Sequence, residues 1–173
     1  VKLNEDDDVD SVIDAWAFVL PDVDFAPLDI VSRLRRLGPR LLEVRRLSFA
    51  ASDLRPWEFE LMSILRQEGG PGMTPSALAA RMEVTSGNLS GRLDRLGARG
   101  LIARQQNAAD ARSKIVSLTP RGAGRVDDAM RALVVAESEV LAGLSRAQAA
   151  TLIESLRIIG STLDRADELR PPR

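Results

Sequence analysis

Residues 114–118, Lys-Ile-Val-Ser-Leu, restrict the fold more than any other stretch, because they are extended in a chain that otherwise repeats its apolar residues at helical spacing. The run is rich in β-branched residues, and Val116 and Leu118 share one face at period two. Thr119-Pro120 follows, an N-cap residue and then a proline suited to the first helical position. One strand needs a partner, and the nearest candidate is "LIARQQ" at 101–106, separated by the turn-like "NAADAR" at 107–112. The pattern predicts a β-hairpin set directly between two helices.

The segments on either side read as helices. Val12, Ile13, Trp16, Val19 and Leu20 follow helical spacing until Pro21. A longer stripe carries Ile30, Leu34, Leu37, Leu41 and Val44, with Pro39 as a point of bending. Pro56 opens a helix with Trp57, Leu61, Ile64 and Leu65 that ends at Gly69-Gly70. Thr74-Pro75 opens a short helix with Leu78, Ala79 and Met82. Thr85 caps the next, which points Leu89, Leu93 and Leu96 inward and stops before Gly100. After the hairpin come a helix carrying Val126, Met130, Leu133, Glu137, Val140 and Leu144, and a last one with Leu152, Leu156, Ile159 and Leu163. The last is opened by a Ser145/Gln148 capping box.

Composition narrows the chemistry. The 173 residues include no cysteine and no histidine, which removes disulfides, thiol and imidazole catalysis and nearly every zinc site. No EF-hand, Walker loop or dinucleotide fingerprint is present, so neither an enzyme nor a cofactor is expected. Aromatic residues make up 3% of the chain, which favours helices over a sandwich of sheets. No apolar run is long enough to span a bilayer and no signal-peptide pattern opens the chain, so a cytoplasmic protein with no membrane partner is expected. The charge is unevenly placed. Nine Lys/Arg against three Asp/Glu between Arg81 and Arg125 give that segment a net charge of +6 within a chain of net charge −1.

Two helices followed by a hairpin describe a winged helix-turn-helix, and the basic middle suits DNA. Ser86, Gly87, Ser90, Gly91, Asp94 and Arg95 lie opposite the inward leucines, and Asn88 and Arg95 have the reach to meet base edges or phosphates. Small polar residues at the start of that helix let it approach a groove floor closely. Arg112 in the turn is placed to enter a minor groove, with Asp110 fixing its direction. Each part also has a plainer reading: an exposed turn pair, a solvated basic face, one of many helix pairs.

The stretch "MTPSALAARMEVTSGNLSGRLDRLGARGLIARQQNAADARSKIVSLTPRG" resembles the winged helix-turn-helix of the MarR family, most specifically in Asp-x-Arg followed by Val-x-Leu-Thr-x-x-Gly. The resemblance implies a mainly α fold with a small β-hairpin wing, in one domain over 1–173. Residues 9–50 would supply N-terminal and 123–168 C-terminal dimerisation helices around a winged core at 55–122. It also implies a homodimer on a pseudo-palindromic DNA operator, read through Ser86, Gly87, Asn88, Ser90 and Arg95, with Arg112 in the minor groove. One departure is Ala111, where many members carry a basic residue.

Glu60 and Arg92 break their helical patterns. Glu60 lies between Trp57 and Ile64, and Arg92 between Leu89 and Leu96, so both are expected on apolar faces. Such a pair makes a structural ion bridge, snorkels outward, or lines a pocket. "DAWAFVLPDVDFAPLDIVSRLRRL" resembles the extra helix of the urate-responsive branch of the family, and a related group senses tricarboxylates such as trans-aconitate. That resemblance implies a pocket for a small anionic effector at Trp16, Glu60 and Arg92, with Glu60 standing where aspartate is usual. The expected function is a ligand-released repressor; the alternatives are a ligand-independent architectural protein or activator, and a helical protein-interaction module.

Overall fold

A computed structural model describes residues 8–107 and 110–168, the side chains of 107, 110–112 and 166–168 excepted. Its elements are α1 (Asp8–Val19), α2 (Ala26–Ala50), α3 (Pro56–Glu68), α4 (Pro75–Arg81), α5 (Ser86–Ala98), β1 (Ile102–Asn107), β2 (Asp110–Leu118), α6 (Pro120–Val140) and α7 (Arg146–Glu168). The mainly helical architecture with one antiparallel hairpin is the fold the sequence predicts. Pro39 lies inside α2, which runs unbroken from residue 26 to residue 50.

Contacts divide the described residues into two units, 8–136 and 137–168. The core of the first is apolar: Phe49 and Leu54 meet Phe59, Leu61, Met62 and Leu65 of α3, Leu78 of α4, the three inward leucines of α5, and Val126, Ala129 and Leu133 of α6. The Phe49 and Phe59 rings stack with centroids 4.0 Å apart, fixing the end of α2 on the start of α3. α1 lies against α2, where Arg33 donates to Asp10 at 2.7 Å and Arg36 to Asp8 at 3.2 Å.

Caps set the boundaries. Thr74 accepts from the Ala77 N–H at 3.3 Å and Thr85 from Asn88 at 3.4 Å, each satisfying an amide that a helix start leaves unpaired. Gly69 at φ 63° ends α3 in the left-handed region. At the second hairpin strand, Thr119 both accepts from Gly122 N–H at 3.0 Å and donates its hydroxyl to the Gly100 carbonyl at 2.8 Å. One side chain thus starts α6 and ties it to the end of α5.

The hairpin pairs Ile102 with Leu118 and continues through Gln106–Lys114, with a register shift before Asn107–Asp110. β2 begins at Asp110, four residues before the extended run at 114–118, so Asp110 and Arg112 belong to a strand and not to a turn. Ladder pairing uses backbone groups and needs no apolar side chain, so the apolar pattern alone did not mark this end of the strand. On its other edge β2 receives Met73: the Met73 N–H donates to the Val116 carbonyl at 2.9 Å, and the Val116 N–H returns the bond at 2.8 Å.

In the unit from residue 137 onward, α7 starts with the expected capping box, Ser145 N–H to Gln148 at 2.9 Å and Gln148 N–H to Ser145 Oγ at 3.3 Å. Leu152, Ile153, Leu156, Ile158 and Leu163 on this helix are all exposed. The stripe of α2 is likewise uncovered, Ile30, Leu34, Leu37 and Leu41 being exposed. Among the described residues no helix is long and apolar enough to cross a membrane.

Candidate nucleic-acid interface

The second helix of the helix pair, α5, separates its two faces cleanly. Leu89, Leu93 and Leu96 are buried, while Ser86, Gly87, Asn88, Ser90, Gly91, Asp94 and Arg95 are exposed. A Cβ built at Gly87 or Gly91 meets nothing within 4 Å, so intramolecular packing does not require glycine at either position. Glycine inside a helix costs about 0.5–1 kcal/mol relative to alanine. The outward face is kept bare at that cost, and a bare face admits close approach by another surface.

Basic groups flank this face. A cleft of about 260 Å³ runs between α4, α5 and the hairpin, lined by Ser76, Ser86, Ser90, Arg104 and Lys114 among others. Arg104 on β1 is held by Asp94 at 2.7 Å. Asp110 and Arg112 stand at the start of β2, and their side chains lie outside the described residues.

The three residues expected to form a ligand pocket stand in separate surroundings. Arg92 is half-buried with its guanidinium 5.5 Å from the centre of the Trp57 ring, a cation–π arrangement. Together with Gly87, Asn88, Gly91 and Arg95 these two line a cleft of about 450 Å³. Trp16, 48% exposed, lines a groove of about 480 Å³ built only from α1, with Ser11, Val12, Ala15 and Val19.

Glu60 is exposed, contrary to the expectation that it turns inward. Helical phase explains this. The buried positions of α3 are Glu58, Phe59, Leu61, Met62, Ser63 and Leu65, and Trp57 and Ile64 sit on the boundary. Glu60 falls roughly 60° beyond Trp57, on the side away from that face. Among the described residues no hydrogen bond or ion pair joins Trp16, Glu60 and Arg92.

The inward acid is Glu58, which the pattern reading passed over. Its side chain is 4% exposed; it accepts from the Arg55 N–H at 2.8 Å, and both oxygens accept from Arg99 Nη1 at 2.8 Å. Arg99 is the C-cap residue of α5, and its Nη2 donates to the Asp53 carboxylate at 2.7 Å and to the Asp53 carbonyl at 2.5 Å. Arg125 of α6 joins the cluster, donating to the Ser52 carbonyl at 2.7 Å and to Asp53 at 3.3 Å. Hydrogen bonding to Glu58 raises the Arg99 guanidinium above its ordinary pKa. The available signal was positional: Glu58 is the third residue of α3, where a glutamate reaches back to the N-cap amide. Beside the cluster, Arg95 lines a cleft of about 730 Å³ with Arg55, Trp57 and Arg99.

Three comparisons bear on this arrangement. Residues 54–114, from the start of the core to the middle of β2, match the model of the MarR family. The HTH-type transcriptional regulator PecS of Dickeya dadantii (strain 3937) is 26% identical over 139 residues, 80% of this chain and 84% of PecS. The HTH-type transcriptional repressor YetL of Bacillus subtilis (strain 168) is 26% identical over 106 residues, 61% of this chain and 64% of YetL. Among solved structures, the transcriptional repressor CouR bound to a 23-mer DNA duplex superposes with a TM-score of 0.64 at 25% identity, covering 80% of this chain and 99% of that one. With the helix pair, the hairpin and the Thr119–Gly122 corner in place, the winged core of the chain is similar to the MarR family of transcriptional regulators.

Proposed function

We propose that the chain is a cytoplasmic, homodimeric DNA-binding repressor that leaves a pseudo-palindromic operator when a small anionic ligand binds. The observation that carries the DNA reading is the outer face of α5, where Gly87 and Gly91 have no packing role and Ser86, Asn88, Ser90 and Arg95 are exposed. In this reading α5 enters the major groove, Asn88 and Arg95 meet base edges or phosphates, and Arg112, oriented by Asp110, reaches the adjacent minor groove. A repressor complexed with a DNA duplex among the structural neighbours, and a repressor among the relatives, support the same direction of control.

The uncovered apolar stripes of α2 and α7 support a second copy as their cover, since contiguous apolar surface of this kind is normally buried against a partner. Trp16, Glu60 and Arg92, which stand apart within the single chain, are assigned to the effector, a urate-like or tricarboxylate anion, with the Arg92 guanidinium as donor fork and Trp16 as an aromatic wall. The ligand acts by binding the DNA-free arrangement of α5 more tightly than the DNA-bound one.

The test is fluorescence anisotropy with genomic duplex fragments, run across a salt series and paired with light scattering. Sequence-selective binding that weakens with salt, by a species of twice the chain mass, is the expected result. Added urate or trans-aconitate is expected to release the duplex. Binding to no duplex at low salt would overturn the reading.

A further inference from the structure

Resting on that reading of α5 as the DNA-entering helix, we infer that Arg99 is a positioning residue that sets the spacing between the two half-sites the protein accepts. The argument begins with what holds α5. Its inner face is fixed by leucines in an apolar core, and such contacts resist separation but specify direction weakly. Its C-terminal end is held by directional bonds. One planar guanidinium is gripped by both oxygens of a buried carboxylate and by the side chain and carbonyl of Asp53. Glu58 is fixed in turn by the Arg55 amide, and Asp53 by Arg125. Asp53 itself sits at φ 53°, in the left-handed region that aspartate tolerates better than most residues.

Those anchors belong to the junction between α2 and α3, so the latch ties the orientation of α5 to the end of α2, the helix with the uncovered apolar stripe. The lever is long. The 13 residues of α5 extend about 18 Å, so a tilt of about 10° at the Arg99 end moves the other end by about 3 Å. That displacement is close to the rise of one base pair, about 3.4 Å. A latch that holds the tilt within this range therefore selects one half-site spacing, and a slack latch accepts several. Lysine at 99 keeps the charge but cannot grip in a fork, which isolates the directional part of the role.

The experiment selects from a pool of duplexes with 30 randomised base pairs, using the full chain, and reads the distribution of half-site spacings in the enriched sequences. Wild type is expected to give one dominant spacing, and Arg99→Lys a distribution spread over three or more neighbouring spacings. Asp53→Asn removes the charge from one exposed leg of the latch, leaving a weaker acceptor, and is expected to broaden the distribution partly; its mild nature guards against a variant that does not fold. Thermal melting of each variant checks folding. If folded Arg99→Lys and Asp53→Asn both keep the wild-type spacing distribution, the positioning role is overturned while DNA binding stands. If wild type enriches no sequence, the DNA-binding reading fails, and the spacing role falls with it.

Discussion

Gly122 packs against the Leu101 carbonyl so closely that a Cβ on residue 122 would lie 2.0 Å from that oxygen. The obstacle is backbone, held by the Thr119 N–H donating to the same carbonyl at 3.1 Å, and it has no rotamer through which to yield. Gly122→Ala must push α6 away from the hairpin root. We expect a loss of about 1–3 kcal/mol, at the range typical of overpacked cores, read as a lower midpoint in urea with unchanged slope.

Arg66 grips Asp127 with two bonds, at 2.8 and 2.9 Å, joining α3 to α6. Hydrogen bonding to Arg66 lowers the Asp127 carboxyl below its ordinary value. A depressed folded-state pKa means that the folded chain holds its proton less tightly than the unfolded one. The contribution is therefore fully present above the unfolded carboxylate pKa and disappears as pH falls through the folded value. Asp127→Asn should flatten the acid limb of a stability-against-pH curve and leave the neutral region least dependent on pH. A variant with the wild-type acid limb would show that the pair does not contribute.

Arg95→Ala and Arg112→Ala are expected to weaken duplex binding in different ways. Arg95 stands on the exposed face of α5, so its loss should relax sequence preference as well as affinity, by about 1–3 kcal/mol if it reads a base edge. Loss of a minor-groove arginine should instead depend on A·T content and lower the salt slope. Anisotropy titrations on matched duplexes separate the two; unchanged affinity in both variants would remove α5 and the wing from the interface.

Arg92 shares α5 with Asn88 and Arg95, so a ligand pulling on its guanidinium moves the DNA-facing surface directly. Arg92→Ala should abolish release by urate or trans-aconitate while keeping most of the ligand-free affinity for DNA. Release at the wild-type ligand concentration would leave Arg92 with only its contact to Trp57.

What was legible in the sequence was local. Thr85, the leucines at 89, 93 and 96, and Gly100 mark α5 because caps and period are written within one helix. The hairpin was legible at its apolar end and misjudged at its polar end, since strand pairing through Asp110 needs no apolar side chain. Glu58 and Glu60 differ by two positions, and which one turns inward depends on where the other helices stand around α3. A one-residue bridge such as Met73 leaves no periodic trace. The Arg99 latch draws its partners from 41 and 46 residues away, beyond any local pattern.

The Met73–Val116 bridge also decides what can be exchanged between relatives. Gly72 passes β2 at φ 108°, where a Cβ would stand 2.2 Å from the Val116 carbonyl oxygen, so the strand has a neighbour built for it on the far side. A wing grafted from another protein as residues 101–118 alone would meet this neighbour as a stranger. The modular piece is discontinuous: residues 72–73 have to travel with the wing, and a chimera that moves both should fold where one that moves only the hairpin does not.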